Sequence, residues 1–401
     1  MLNYKKLVSG LNCVLFIFFV FIFMIFGFSN ISLAKEPDFD ISAKSALLME
    51  VETGEIVYEK NPHQEMPPAS MTKIMTLLLV MEALEKNEIS LEDEIVTSEN
   101  AAHMGGSQIW LEPGERMTLE EMVRAIAVVS ANDSCLAVAE HIAGTEDNFI
   151  KKMNEKAEEL GMENTYYYNT NGLPTGSSEI QGTYSSAYDL AIVSRELLKY
   201  PQVLEWTSIW TDQLRDGESE LTNTNRLVRH YPGADGLKTG YTSEAGHGVS
   251  ATARRGDLRF IAVIMGAERS DTRFEEAEKL LNYGFSSFSV KKVAAKDEVI
   301  SRIEIANARE TEMEVITPRE VAIPIRRGSD QELKTRIKID EKIEAPLEKG
   351  ARIGLLEIYK DDELIEEIEL VSARKAESVS FFVWMFRLFI QMLKSIVGIL
   401  G

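Results

Sequence analysis

The chain has 401 residues, of which 45% are apolar, so a disordered chain is excluded and two or three folded domains are expected. The 64 acidic and 43 basic residues give a net charge of −21, which argues against nucleic acid as a partner because phosphate attracts cations. Two cysteines cannot form a disulfide framework, and five histidines without metal-ligand spacing predict no metal site.

Residues 1–34 have the pattern of a secretory signal peptide. Two lysines precede the apolar run 13–28, and small residues near position 34 offer a cleavage site. The alternative is an uncleaved membrane anchor, because the apolar run is long for a signal. The pattern predicts export, after which Cys135 is the one remaining thiol, expected to be a small buried side chain.

Strand and helix signals are mixed between residues 38 and 285, which predicts an α+β domain. A mostly apolar run at 74–84 predicts a buried helix. Thr118 and Glu121 form a capping box, from which a single long helix is predicted to run to Gly144. Two hairpins are predicted where apolar runs flank polar turns, at 45–59 and 249–264.

Residues 290–373 have a different pattern, in which short runs alternate between apolar and polar side chains. Period-two alternation with frequent turns predicts a small all-β domain. No nucleophile constellation occurs in it, so spacing or docking is its expected task. The alternating runs are 303–305, 336–340, 355–359 and 364–370.

Residues 378–401 predict a C-terminal amphipathic helix. Its charged residues are two cations, Arg387 and Lys394, and Trp384 suits the level of lipid headgroups. This pattern predicts a helix lying in the surface of an anionic membrane. The alternatives are a terminal helix packed on the core or a short span, and two cations in mid-segment argue against the span.

The first chemical motif is Ser70-Met71-Thr72-Lys73, at the start of the predicted apolar helix. The dipole at a helix N-terminus is positive, and a lysine three residues on shares a face with the serine. A lysine of lowered pKa can act as the base for a serine nucleophile. On its own the motif is weak, because a capping serine beside a solvated lysine is common.

Two further motifs follow. Ser130 and Asn132 come after the apolar run 125–129, where polar side chains need partners or a cavity; a helix break is the alternative interpretation. Lys238-Thr239-Gly240 follows Asp235-Gly236-Leu237 and is suited to hold an anion such as a terminal carboxylate. Glycines 236 and 240 are expected to let a substrate backbone approach the strand closely.

Together, S-x-x-K, S-x-N and K-T-G in this order are specific, and the chain resembles the serine-type D-alanyl-D-alanine carboxypeptidases among the low-molecular-mass penicillin-binding proteins. The resemblance covers roughly residues 40–285 and includes 184–189 and Arg273-Phe274. It implies a serine β-lactamase/transpeptidase-like domain, with an antiparallel sheet flanked by helices. A small β-domain and an amphipathic anchor helix on the outer face of the cell membrane complete the implied layout.

The resemblance also implies the site. Ser70 matches the nucleophile, Lys73 its general base, and Ser130 the residue that relays a proton to the leaving group. The implied substrate is a peptidoglycan stem peptide ending in D-Ala-D-Ala, with β-lactam antibiotics as inhibitors and no cofactor. The implied substrate-binding residues are Asn132, Lys238, Thr239, Gly240 and Tyr241, with the oxyanion between the backbone N–H groups of Ser70 and Tyr241.

Some positions depart from the family pattern. No E-x-x-x-N occurs between 145 and 200, so the deacylating glutamate of a class A β-lactamase has no candidate. Asn171 stands where a histidine is common, His247 where an aromatic residue is common, and Arg273 is expected to bind the substrate carboxylate or to form a surface ion pair. The alternatives to a carboxypeptidase are a β-lactamase and a non-catalytic β-lactam sensor or scaffold.

Overall fold

The structure is a computed structural model, which describes residues 39–174, 182–328, 332–380, 382, 383 and 385. The predicted signal segment and most of the predicted amphipathic tail lie outside these residues. The helices are α1 (Lys73–Glu85), α2 (Glu99–Ala102), α3 (Leu119–Val128), α4 (Asn132–Ala143), α5 (Glu146–Glu159), α6 (Ala187–Leu197), α7 (Val203–Thr207), α8 (Leu227–His230) and α9 (Ser270–Ser287). The strands are β1 (Ser45–Glu50), β2 (Ile56–Lys60), β3 (Glu94–Val96), β4 (Arg116–Thr118), β5 (Thr211–Leu214), β6 (Ser219–Thr222), β7 (Ala234–Thr242), β8 (Gly246–Arg255), β9 (Leu258–Ala267), β10 (Phe288–Ala294), β11 (Val299–Glu304), β12 (Glu312–Ile316), β13 (Val321–Arg326), β14 (Leu333–Ile339), β15 (Arg352–Lys360) and β16 (Glu363–Ser372).

The N-terminal domain is built on an antiparallel sheet of five strands, in the order β2-β1-β9-β8-β7. Both predicted hairpins are confirmed, as β1–β2 and β8–β9. The central strand β9 is buried along nearly its whole length, because α9 and α6 both pack against it. A strand covered on both faces is expected to be apolar, as β9 is from Phe260 to Ala267. The two edges of the sheet are β2 and β7, and β7 carries the Lys-Thr-Gly motif.

Helix α1 runs through the core of this domain and confirms the buried helix predicted at 74–84. Nearly all of its residues are buried, which is the environment that a helix without a polar face requires. A 3₁₀ turn, Ala69–Thr72, precedes it and carries Ser70. The position of α1 therefore fixes the position of the Ser70-x-x-Lys73 motif.

The single helix predicted from Thr118 to Gly144 is wrong, because the segment is two helices. The Thr118–Glu121 capping box and the Gly144 C-cap both form as predicted. Between them α3 ends at Val128, and Ser130 has a left-handed backbone with φ of 66°. A left-handed residue cannot continue an α-helix, so a new helix, α4, starts at Asn132.

The C-terminal domain is all-β, as predicted. Its main sheet has the order β11-β12-β16-β15-β14, and β10 pairs with β13 beside it. The tight turn between β15 and β16 contains Asp361 and Asp362, both with positive φ, the conformation that short hairpins need. At the β1–β2 turn of the N-terminal domain, Glu55 forms ion pairs with Arg326 and Lys360 of the β-domain.

Two further observations concern the described residues alone. The Cys135 side chain is fully buried, which confirms the expectation from the sequence. Within the described ranges, no helix combines the length and the apolar character needed to cross a membrane.

Candidate active site

Ser70 is partly exposed, and the turn that carries it is tightly held. The preceding residue, Ala69, has a left-handed backbone with φ of 49°, which is uncommon for a residue other than glycine. Gly172 packs directly on this turn, since a Cβ at position 172 would lie 1.9 Å from the carbonyl oxygen of Ala69. The site therefore stores local backbone strain that the surrounding packing maintains.

Lys73 joins three parts of the site through its side-chain nitrogen. Nζ lies 3.2 Å from Ser70 Oγ and donates to Asn132 Oδ1 at 2.6 Å and to the carbonyl of Asn171 at 2.9 Å. The side chain is fully buried. Burial lowers its pKa from 10.5 to about 8, against the opposing influence of Cys135 and Asp133. A neutral amine is therefore accessible near physiological pH, within hydrogen-bond distance of a serine hydroxyl.

Ser130 lies in the break between α3 and α4, and Asn132 is the first residue of α4. Ser130 Oγ is buried and, within the part of the chain that the structure describes, has no hydrogen-bond partner. Asn132 Oδ1 accepts from Lys73, and its Nδ2 donates to the carbonyl of Gly105 at 2.7 Å. A buried hydroxyl without a hydrogen-bond partner costs free energy of folding. Its presence beside Asn132 indicates that a bound ligand supplies the missing partner.

Strand β7 contributes a second buried cation. Lys238 is almost fully buried, and burial, together with the nearby charges of Lys73 and Arg273, holds its pKa well below the usual range. Thr239 Oγ1 donates to Thr224 Oγ1 at 2.7 Å. Two lysines that disfavour each other's charge form a site in which an anion would be strongly favoured.

Tyr241 lies at the exposed end of the same strand. Its ring stacks on that of His247, with centroids 4.3 Å apart, and the two residues are partners in the β7–β8 register. Tyr241 is more than half exposed, whereas the neighbouring Gly240 is buried. The strand therefore passes from the buried cation Lys238 to an aromatic rim within four residues.

The glycines at 236 and 240 serve contacts within the protein, and their approach to a substrate backbone stays a prediction. A Cβ at Gly240 would lie 2.6 Å from the carbonyl oxygen of Pro68 and 3.2 Å from the backbone nitrogen of Met71. A Cβ at Gly236 would lie 2.6 Å from Thr207 Oγ1. These glycines make room for the protein's own chain, and Gly240 lets β7 pack against the Ser70 turn.

Arg273, from α9, supports β7 from behind, and the alternative of a surface ion pair is wrong. The side chain is buried, and Nη1 donates to the carbonyls of Gly240 at 3.1 Å and Gly248 at 3.2 Å. Burial, and then the charge of Arg226, lowers its pKa to about 10. Arg273 thus bridges the end of β7 to β8. The sequence did not reveal this role, because the acceptors are backbone carbonyls.

Two other residues were also missed or left open by the sequence. Asn171 takes part through its backbone carbonyl, so its side chain gave no signal. The buried Asp133 carboxylate accepts from the backbone N–H groups of Ile109 at 3.0 Å and Leu111 at 3.1 Å. A carboxylate directly after Asn132, in a buried helix, is the signal that could have identified it.

The comparisons with known proteins agree with this arrangement. The family model described as D-alanyl-D-alanine carboxypeptidase matches residues 31–269. This chain belongs to the D-alanyl-D-alanine carboxypeptidase family. It is therefore a serine-type peptidase of the penicillin-binding protein class, which confirms the resemblance drawn from the motifs. A second model, described as the C-terminal domain of penicillin-binding protein 5, matches residues 288–378.

Individual relatives cover most of the chain. A D-alanyl-D-alanine carboxypeptidase of Bacillus subtilis, DacF, is 42% identical over 349 residues, which are 86% of this chain and 88% of the relative. The crystal structure of a peptidoglycan synthesis regulatory factor, PBP3, of Streptococcus pneumoniae is 32% identical in sequence, with a TM-score of 0.74. The match covers 84% of this chain and 100% of that chain. Penicillin-binding protein D2 of Listeria monocytogenes, solved with ampicillin bound, is 33% identical, with a TM-score of 0.57, 62% of this chain and 100% of that chain covered.

Proposed function

We propose that this carboxypeptidase removes the terminal D-alanine from peptidoglycan stem peptides through an acyl-enzyme on Ser70. The observation that carries the proposal is the fully buried amine of Lys73, 3.2 Å from Ser70 Oγ, with a pKa lowered to about 8. A general base works best when its pKa lies near the operating pH. The same pair could acylate in a β-lactamase, but the sequence has no E-x-x-x-N between 145 and 200 to supply a deacylating glutamate. A non-catalytic sensor would not need Lys73 as a base.

In the acylation step, Ser70 Oγ attacks the carbonyl carbon between the two D-Ala residues while its proton passes to Lys73 Nζ. The C–N bond then breaks, and Ser130 Oγ gives a proton to the leaving D-alanine nitrogen and recovers one from Lys73. Ser130 is supported in this role by its buried hydroxyl, unpartnered among the described side chains. Asn132 holds the acyl part of the substrate. Water then hydrolyses the ester and restores Ser70.

The negative charge of the tetrahedral intermediate needs donors that are fixed in advance. The backbone N–H groups of Ser70 and Tyr241 are the proposed pair, and each such donor is worth about 3–4 kcal/mol in comparable enzymes. Gly240 supports this assignment, because its close approach to Met71 brings the end of β7 against the turn that carries Ser70. Arg273 supports it further by fixing the Gly240 carbonyl.

The free carboxylate of the substrate is assigned to Lys238 and Thr239. A bound carboxylate favours the charged form of Lys238, and a charge on Lys238 disfavours one on Lys73, since the two lysines act on each other electrostatically. Penicillins carry a similarly placed carboxylate, which supports them as inhibitors.

Covalent labelling tests the acyl-enzyme. The purified protein is incubated with a fluorescent penicillin, and the labelled peptide is identified by mass spectrometry. We expect one equivalent of label on Ser70 and none in Ser70→Ala. Label on another residue contradicts the assignment of the nucleophile, and rapid multiple turnover of penicillin would favour a β-lactamase instead.

We also propose that the protein is exported and anchored to the outer face of the cell membrane. The pattern of residues 1–34 supports export, and the amphipathic pattern of 378–401 supports anchoring at an anionic surface. Flotation with anionic vesicles tests the anchor. Chain 35–401 should float with the vesicles and chain 35–377 should not, whereas equal flotation of the two would contradict the proposal.

A further inference from the structure

Trp110 is exposed on the loop that bonds to Asn132 and Asp133. Its side chain is 75% exposed, and its backbone is left-handed, with φ of 61°. A large aromatic side chain gains most when it is buried, and bulky residues rarely adopt positive φ. Both features cost free energy of folding, so the arrangement calls for a function.

The exposure of Trp110 results from fixed contacts on both sides of it. Its neighbours Ile109 and Leu111 are buried, and their backbone N–H groups donate to the buried carboxylate of Asp133. Arg215 Nη1 donates to the carbonyl of Ile109 at 2.9 Å. The loop is therefore anchored to α4 below and to Arg215 beside it, while the indole projects into solvent.

The same loop is bonded to Asn132. The backbone N–H of Asn132 donates to the carbonyl of Ser107 at 2.7 Å, and its side-chain amide donates to the carbonyl of Gly105 at 2.7 Å. In the proposed complex the terminal carboxylate lies at Lys238 and the acyl part at Asn132. The residue that precedes the D-Ala pair therefore continues past Asn132, where the loop of Trp110 lies.

The charges around this loop favour a cation. Arg215 pairs with Glu115, with Nε 2.7 Å from Oε1, and it also faces Asp133 and Glu112. Lys73 also acts on Asp133, so three carboxylates face two basic side chains and a local excess of negative charge remains. The face of a tryptophan ring is the best aromatic site for an ammonium group.

We propose that the exposed face of Trp110, beside the carboxylates of its loop, binds the side-chain ammonium of the residue that immediately precedes the D-Ala-D-Ala pair. This inference rests on the proposed function, because it uses the substrate direction assigned above. It assigns Trp110 as a specificity residue for a diamino acid at that position. An exposed contact of this kind is worth about a 2- to 5-fold preference.

The test compares two peptides with the full-length protein in detergent. One is Nα-acetyl-Lys-D-Ala-D-Ala, with a free side-chain ammonium, and the other is Nα,Nε-diacetyl-Lys-D-Ala-D-Ala, which is neutral. We expect kcat/KM to be about 2- to 5-fold higher for the cationic peptide. Trp110→Ala should bring the ratio to about one, Trp110→Phe should retain part of it, and Leu364→Ala, an exposed apolar residue of the β-domain, should leave it unchanged.

Acylation by benzylpenicillin separates binding from a structural role, because this penicillin has no cationic side chain. Its acylation rate should be the same in Trp110→Ala and in the wild type. The inference is overturned if the wild type does not prefer the cationic peptide, if Trp110→Ala keeps the preference, or if penicillin acylation falls together with peptide hydrolysis. Absence of D-alanine release from both peptides contradicts the proposed function itself.

Discussion

Raising the pH from 6 to 9 should deprotonate Lys73 and so activate Ser70 as the nucleophile. With a pKa of about 8, about one molecule in ten carries the neutral amine at pH 7, compared with about one in 3,000 for an ordinary lysine. The neutral form is the one that accepts the proton of Ser70. The rate of acylation is therefore expected to rise about tenfold between pH 6 and 7, and to level off above pH 8.

The assay is the second-order rate of Ser70 acylation by a fluorescent penicillin, measured by stopped flow before deacylation begins. His247→Gln is the control, because His247 is the other titratable side chain at this rim, and burial, then the charge of Arg273, lowers its pKa, so it should titrate well below Lys73. We expect an apparent pKa near 8 in both proteins. A rate that does not change from pH 6 to 9, or a midpoint far below 8 that disappears in the control, would refute the assignment of Lys73 as the base.

Three further changes have defined outcomes. Between pH 8 and 10.5, Lys73 binds fewer protons in the folded protein than in the unfolded chain, because its folded-state pKa is lowered to about 8. The free energy of unfolding should therefore rise across this window by about 3 kcal/mol more in the wild type than in Lys73→Met. Urea titrations at several pH values measure this difference. Gly172→Ala would place a Cβ 1.9 Å from the Ala69 carbonyl at a φ of 81°. It should lower the free energy of unfolding by roughly 2–4 kcal/mol in a urea titration and slow acylation. The control Gly161→Ala, also at positive φ but with open space around it, should lower it by about 1–2 kcal/mol. Arg273→Met leaves two carbonyls without their donor, so the melting temperature and the acylation rate should both fall, and unchanged acylation would contradict its support of β7.

Much of the fold could be predicted from local patterns. The hairpins β1–β2, β8–β9 and β15–β16 follow from apolar runs on either side of polar turns, and α1 follows from an uninterrupted apolar run of helical length. The break at Ser130 was only the alternative interpretation, because the capping box at Thr118 and the glycine at 144 favoured one continuous helix. Contacts distant in sequence, from Asn132 to Lys73 and to the loop at Gly105, accompany the break.

The site was only partly visible in the sequence. The motifs located Ser70, Lys73 and Lys238, because the proposed chemistry uses their side chains. The backbone carbonyl of Asn171 accepts from Lys73, and the Arg273 side chain donates to the backbone carbonyl of Gly240. Neither contact leaves a signal in the sequence, because every residue has a backbone carbonyl. The reason for Gly240 was also hidden, since it depends on which segment the fold packs against β7.

The release of D-alanine tests the central claim most directly. The purified protein is mixed with a peptide ending in Lys-D-Ala-D-Ala, and free D-alanine is measured over time, with Ser70→Ala as the control. The account predicts one D-alanine for each peptide consumed by the wild type and none by Ser70→Ala. Release that persists in Ser70→Ala, or no release by a wild type that penicillin still labels on Ser70, would contradict it.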